Sequence, residues 1–177
     1  MNFSVQQDIR NENVVLKPLK ESDFEDLFSQ AADEEVWNQH PNKNRYKREV
    51  FENFFSGALE SKGAFVIIDK SSNQIIGSTR FYDFNEEDNS IFIGYTFYGK
   101  AFWGKNYNSQ VKKLMLDYIF QFVVSVNFHV GNENFRSQKA MGKLGAQNMG
   151  ELNVAYFGEE SRTNILYRIK KEDWVKL

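Results

Sequence analysis

Cysteine is absent from the 177 residues, which excludes disulfides, thiolate-bound zinc, iron–sulfur clusters and a cysteine nucleophile together. Histidine is nearly absent. Only His40 and His129 occur, too few for a histidine cage, so no metal is expected, and no G-x-S-x-G elbow accompanies them for a serine hydrolase. Proline occurs only as Pro18 and Pro41, so little interrupts regular structure. No apolar run approaches the ~20 residues of a membrane span, and no secretory signal precedes Arg10; the expectation is a soluble, cytoplasmic chain without a membrane partner. Neither charge is in excess: 22 basic against 24 acidic side chains leave −2, which argues against a nucleic-acid partner.

What is present is globular composition, 41% hydrophobic and 16% aromatic, far from the disordered range. The length fits one domain over 1–177, by the prior of roughly 100–200 residues per domain. A chain near that size buries roughly 70% of its unfolded surface, enough for a self-sufficient core.

Val14, Val15, Leu16 and Leu19 around Pro18 predict a first edge strand, because proline removes a ladder donor. Ser22-Asp23-Phe24-Glu25 reads as a capping box opening a helix to about Ala32. A polar, aromatic-studded stretch from Val36 to Tyr46 follows. Val50, Phe51, Phe54, Phe55, Ala58 and Leu59 then mark a second amphipathic helix. Strands at Ala64–Ile68, Gln74–Asp83 and Ser90–Tyr98, parted by polar turns, imply an antiparallel meander. A long helix carries Val111, Leu114, Met115, Tyr118, Ile119 and Phe122 on one face. Its Lys112 and Lys113, with Lys139 and Lys143 further along the chain, are most simply a solvated face, the alternative being that a lysine near the loop meets a ligand phosphate. Next come a strand at Val124–Val130 and a short helix at Asn134–Leu144, closed by Gly145 as a left-handed C′ residue. Two strands, Gly150–Phe157 and Arg162–Ile169, flank a turn at Gly158-Glu159-Glu160. The order β-α-α-β-β-β-α-β-α-β-β predicts an α/β sheet with helices on both faces.

The chemistry concentrates where the third meander strand opens through a loop into the long helix. Free N–H groups and the helix dipole make that junction an anion site. Lys100 and Lys105 add positive charge, Gly104 permits close backbone approach, and Asn106 tolerates a left-handed conformation. Taken alone, this loop is also what an ordinary strand-to-helix connection looks like.

The ordered blocks Ile93-Gly94-Tyr95-Thr96, Trp103-Gly104-Lys105-Asn106-Tyr107-Asn108, and Asn134-Phe135-Arg136-Ser137 with Lys143-Leu144-Gly145-Ala146 are more specific. Together they resemble the GNAT superfamily of N-acetyltransferases, in particular its ribosomal-protein N-terminal acetyltransferase-like (Rim) branch. The resemblance spans roughly Val14 to Trp174, and its sharpest piece is Asn134, Ser137, Lys143 and Gly145 in one frame. It implies a GNAT fold: a central mixed, largely antiparallel sheet with a V-shaped strand splay. It also implies acetyl transfer from acetyl-CoA to a primary amine, by direct transfer in a ternary complex.

By that resemblance the pyrophosphate sits on the loop Phe102–Asn108, engaging Trp103, Gly104, Lys105, Asn106, Tyr107 and Asn108. The pantetheine arm lies between Ile93–Phe97 and Phe128–Gly131, touching Tyr95, Thr96, Phe97, Asn134, Arg136 and Ser137. Backbone amides near Tyr95 and Thr96 polarise the thioester carbonyl. Asn134 bonds the pantetheine or the reacting region, and Ser137 protonates the leaving thiolate. Both are equally good helix-cap residues. Trp37, His40, Tyr46, Tyr82 and Tyr156 line the acceptor groove, where the alternative for each is packing over the sheet edge.

Three departures stand out. Many relatives carry a glutamate two positions before the glycine of the I-G-Y strand, where Phe92 stands; a second glutamate is replaced by Gln110, and a loop glycine by Asn106. Loss of the obvious base leaves Asp83, His40 or the Glu86-Glu87-Asp88 turn acting through water, with His129 facing the core or the cofactor gap. It also leaves open a catalytically weak or inactive acyl-CoA-binding module. Near pH 7.5 an α-amine of pKa about 7.8 is roughly one-third neutral and a lysine only ~0.1%. A protein or peptide N-terminus, or a small amine of low pKa, is therefore the easier acceptor. Monomer and homodimer are both compatible with the sequence.

Overall fold

Alternating apolar residues form eight strands in the computed structural model, which describes residues 3–156, 158 and 160–174. They are β1 (Ile9–Arg10), β2 (Val14–Pro18), β3 (Ala64–Asp69), β4 (Gln74–Asn85), β5 (Ser90–Tyr98), β6 (Ser125–Gly131), β7 (Gln147–Ala155) and β8 (Ser161–Lys170). They form one sheet in the order β1-β2-β3-β4-β5-β6-β8-β7. Every neighbouring pair is antiparallel except β5 and β6, which run parallel. The predicted meander is β3-β4-β5. The strand around Pro18 is not the edge: β1 pairs outside it, Ile9 against Leu16. The turn read between the last two strands includes Phe157 and Glu159, which lie outside the described residues.

Helices α1 (Phe24–Ala31) and α2 (Arg48–Glu60) cover one face; α3 (Tyr107–Ile119) and α4 (Phe135–Lys143) cover the other; the short α5 (Lys171–Trp174) follows β8. The predicted capping box is corrected. Asp23 Oδ2, not the Ser22 hydroxyl, closes the helix start by accepting from the Lys20 N–H at 2.8 Å, and a single 3-10 turn at Glu21–Asp23 leads into α1. Phe122 lies beyond the end of α3 and is 39% exposed, so it leaves the apolar face assigned to it. Gly145 has φ +70° directly after α4, the left-handed closure read from the sequence.

On the α3 side, Val111, Met115, Leu116, Ile119 and Met141 pack on Ile76, Phe81, Ile91, Ile93, Val126 and Phe128. On the α2 side, Leu27, Ala31, Trp37, Phe51, Phe54 and Phe55 pack on Val66 and Phe97. A fully buried phenylalanine contributes roughly 1.5–3 kcal/mol of transfer free energy, so the aromatic content is the core of both layers.

Candidate active site

Parallel β5 and β6 stay paired for three rungs only, Ser90 with Ser125, Ile91 with Val126 and Phe92 with Asn127. Beyond Phe92 the strands part, and the gap between them is a cavity of about 590 Å³ that passes between the two faces of the sheet. A bulge shapes its wall. Between Ser78 and Arg80 of β4, strand β5 spends one residue more, from Phe97 to Gly94, and Tyr95 takes φ +52°. A second bulge, on β4 between Tyr82 and Asn85, restores the register, with Asp83 at φ +49°. The first interrupts the regular β4–β5 register at Tyr95 and Thr96, both of which line the cavity.

On the α3 face the predicted loop has its expected backbone. Gly104 has φ +75° and Asn106, the N-cap of α3, has φ +63°. A Cβ at Gly104 would meet nothing within 4 Å, so conformation and not crowding accounts for this glycine. Tyr107, Asn108 and Ser109 of the first turn face the cavity, where their amides lack partners in the helix. The Tyr107 hydroxyl donates to Asp69 Oδ1 at 3.0 Å. Ser71 and Ser72 also donate to Asp69, and these bonds hold its carboxyl well below the usual range. Trp103 Nε1 donates to the Tyr98 carbonyl at 3.0 Å, and the Arg136 guanidinium stacks 4.4 Å from the Trp103 ring. Asn134 caps α4, its Oδ1 accepting from the Ser137 N–H at 3.0 Å; Ser137 itself lines the cavity.

The opposite face is aromatic. His129 lies 4.4 Å from the Phe92 ring and its Nδ1 stands 3.3 Å from Tyr82 Oη. Burial lowers its pKa, opposed by the Asp83 charge. Tyr95 stacks edge-on with Tyr82 and Tyr156, beneath the buried Arg80 guanidinium at 3.9 Å. Burial lowers Arg80 to about 10, still charged at neutral pH. His40 lines the same side, and burial, with help from Arg45 and Arg136, pushes it down to about 3. It is too weak a base for the relay considered from sequence.

Tyr95, Thr96, Phe97, Trp103, Gly104, Asn106, Tyr107, Asn108, Asn134, Arg136, Ser137, His40 and Tyr156 all line this one cavity. The others do not. Trp37 is wholly buried, its Nε1 donating to the Ala31 carbonyl, and supports the wall from behind. Tyr46 packs against the same aromatic cluster, and Tyr82 lies beneath the floor at Gly94. Lys105 is exposed over Phe102, and Lys100 is held by Glu35 and Asp33. Gln110 accepts from Asn13 on the far side of α3.

Sequence reasoning misplaced Lys112, which is buried at 4% exposure and not on a solvated face. Its position was legible in the spacing, three residues before Met115 and four before Leu116, within the apolar stripe. Tyr98 was also missed; the residue lines the cavity, and its hydroxyl is buried without a hydrogen-bond partner. No Asp or Glu lines the cavity among the described residues, whereas Arg45, Lys112, Arg136, Lys139 and Lys143 do. Among those residues, too, no cluster of three metal-ligating side chains occurs.

The family model for the acetyltransferase (GNAT) domain matches residues 13–147. Among solved structures, a GCN5-related N-acetyltransferase from Brucella melitensis superposes with TM-score 0.83 at 19% identity, over 96% of this chain and 81% of that one. A ribosomal-protein-S5-alanine acetyltransferase from Vibrio fischeri gives 0.69 at 18%, over 95% and 98%. A spermidine N-acetyltransferase from Vibrio cholerae, in complex with CoA and spermine, gives 0.70 at 17%, over 93% and 99%.

Proposed function

The chain belongs to the GNAT acetyltransferase family, and from that premise we propose that it moves an acetyl group from acetyl-CoA to the α-amine of a protein or peptide, or to a small amine without further positive charge. The observation that carries this reading is the fork between β5 and β6, bulged at Tyr95 and open to both faces of the sheet.

The α3 face suits the donor. Loop amides from Gly104 to Asn108, with Arg136, Lys139 and Lys143 on the same wall, would hold the pyrophosphate. The cavity of about 590 Å³ has room for a pantetheine arm. Asn134 and Ser137 would orient the thioester end. The amides at the bulge would meet the carbonyl oxygen and stabilise the charge it gains on attack.

The other face suits the acceptor. Among the described residues the lining has cations and no carboxylate; such a lining repels a polycation, so an α-amine with a neutral or acidic tail fits better than a polyamine. His129 would take the proton released by the attacking nitrogen. In the tautomer where Nδ1–H donates to Tyr82 Oη, Nε2 carries the free lone pair. The tetrahedral adduct's ammonium is a strong acid, so a weak base suffices.

Thiol release tests this reading. Peptides with free N-termini should release CoA with acetyl-CoA present, N-acetylated copies should not, and spermidine should be poorer by at least tenfold. Preference for spermidine would overturn the acceptor assignment. No binding of CoA at millimolar concentration in calorimetry would overturn the donor site.

A further inference from the structure

Lys112 is a lysine in a position built for an aliphatic side chain. Its stripe on α3 is otherwise Val111, Met115, Leu116 and Ile119, all wholly buried. Its Nζ lies 2.6 Å from Thr96 Oγ1 on β5 and 5.9 Å from the centre of the Phe128 ring on β6. The amine therefore sits beneath the fork, beside the residue that follows the bulged Tyr95, and it lines the cavity. The hydroxyl chain continues from Thr96 to Thr79 at 2.8 Å and ends at Met115 Sδ.

No carboxylate faces this amine among the described residues. Asp117, on the same helix, is held by Lys113 and Trp174. The other ionisable groups along the cavity are Tyr95 and Tyr98 on β5, Tyr107 on α3, His129 on β6, Arg136, Lys139 and Lys143 on α4, and His40, Arg45 and Tyr156 on the acceptor side. A buried ammonium without a counter-ion is destabilising. A leucine would satisfy the packing; the amine instead has the Thr96 hydroxyl as its partner at the cavity wall.

We propose that Lys112 is a catalytic residue of the acetyl transfer, its ammonium giving a proton to the CoA sulfur as the carbon–sulfur bond breaks. The assignment rests on the reading of the fork as the donor site. With the carbonyl oxygen at the bulge amides, the sulfur lies one bond from the carbonyl carbon, in the space that Nζ faces. The acceptor nitrogen forms the C–N bond, and the C–S electron pair stays on sulfur. Sulfur takes the proton from Nζ, and neutral Lys112 recovers one from solvent through the cavity. The surplus proton on the new amide nitrogen leaves on the opposite face. The sum is amine plus acetyl-CoA giving amide plus CoA thiol.

Acidity favours this direction. Burial pushes the amine down to about 7, below the ordinary thiol value of about 8.5. An ordinary lysine near 10.4 would not release its proton to a thiolate. The alternatives are weaker: burial raises the Tyr98 phenol far above its usual value, and an aliphatic hydroxyl such as Ser137 can only relay a proton.

The test measures kcat against pH at saturating donor and acceptor, for the wild type, Lys112→Met and Lys112→Arg, with CoA binding measured by calorimetry. The wild-type kcat should fall as pH rises through the neutral range, where Lys112 loses its proton. Lys112→Met should bind CoA, lose about 100-fold or more in kcat, and lose that alkaline limb. Lys112→Arg keeps the charge but cannot surrender a proton, so it should stay slow. A wild-type profile without the limb, a Met variant within threefold in kcat, or recovery of the full rate by Arg would each overturn the proposal. Failure of the wild type to bind CoA would instead remove the donor site on which it stands.

Discussion

The phenyl ring of Phe92 lies 4.4 Å from the His129 imidazole, tilted by 35°, where β5 and β6 begin to part. Phe92 pairs with Asn127, two residues before His129 on the same strand, so both rings project from one face of the sheet. Where the sequence resemblance leads one to expect a carboxylate, a phenyl ring packs against a histidine whose burial lowers its pKa.

This contact sets a pH dependence. Burial lowers the His129 pKa, so the neutral, proton-accepting form persists below the ordinary value of 6.5 and is lost only as pH falls through the lowered one. His129→Ala should reduce kcat by about 100-fold with little change in the KM for acetyl-CoA. Phe92→Glu should raise the histidine pKa by about one unit or more and move the acidic limb of kcat/KM upward. A His129→Ala loss below threefold would remove the histidine from the reaction.

Gly94 supplies a steric test of the same floor. A Cβ there would stand 2.9 Å from Tyr82 Cε1 and 3.1 Å from its hydroxyl, so Gly94→Ala must displace the phenol that now stands beside His129. Activity should drop by about tenfold, while stability falls by only about 1–3 kcal/mol. Parallel urea titrations and initial rates would separate the two effects. Equal activity with a displaced Tyr82 would show that the phenol does not orient the imidazole.

At Gly104 the expected cost is conformational. With φ +75° and open space around the missing Cβ, Gly104→Ala should cost about 1–2 kcal/mol. Part of that cost should surface as weaker CoA binding, read by calorimetry. Gly104→Asn should be milder, because Asn tolerates the left-handed region, as Asn106 does two residues later.

Lys112 trades stability for its position. Its folded-state pKa of about 7 lies below the ordinary 10.5, so between those values the unfolded chain binds more protons. Wild-type stability should therefore rise with pH across that window. Lys112→Met should be more stable than the wild type by about 1–3 kcal/mol near pH 6, and the gap should shrink by pH 9. Urea unfolding at both pH values checks the sign; a less stable Met variant at pH 6 would refute it.

The sequence carried the features that depend on short stretches of chain. The three meander strands, the left-handed Asn106 and the closure at Gly145 each follow from a few adjacent residues, and each is present. Features decided by competition between neighbours were harder. Ser22 looked like the cap, but the chain turns two residues earlier, where Asp23 takes the Lys20 amide with a charged oxygen, a strong acceptor. Strand β1 is two residues long, too short to show a period. Lys112 was read by its charge when its spacing already put it inside. Trp37 was read as a groove aromatic because its loop is polar, yet its indole fills the α2 layer. The bulges at Asp83 and Tyr95 arise from how two strands are laid side by side, and no single strand announces them.

Those two bulges add one residue to each strand of the β4–β5 pair and cancel. Only the rungs between them, Arg80 to Tyr82 against Gly94 to Phe92, run in the shifted frame. Removing one extra residue alone would turn every side chain beyond it to the wrong face of the sheet. Removing both would restore a plain hairpin and straighten the strand that opens the fork. The two extra residues are therefore coupled: each one sets the frame that the other returns to register.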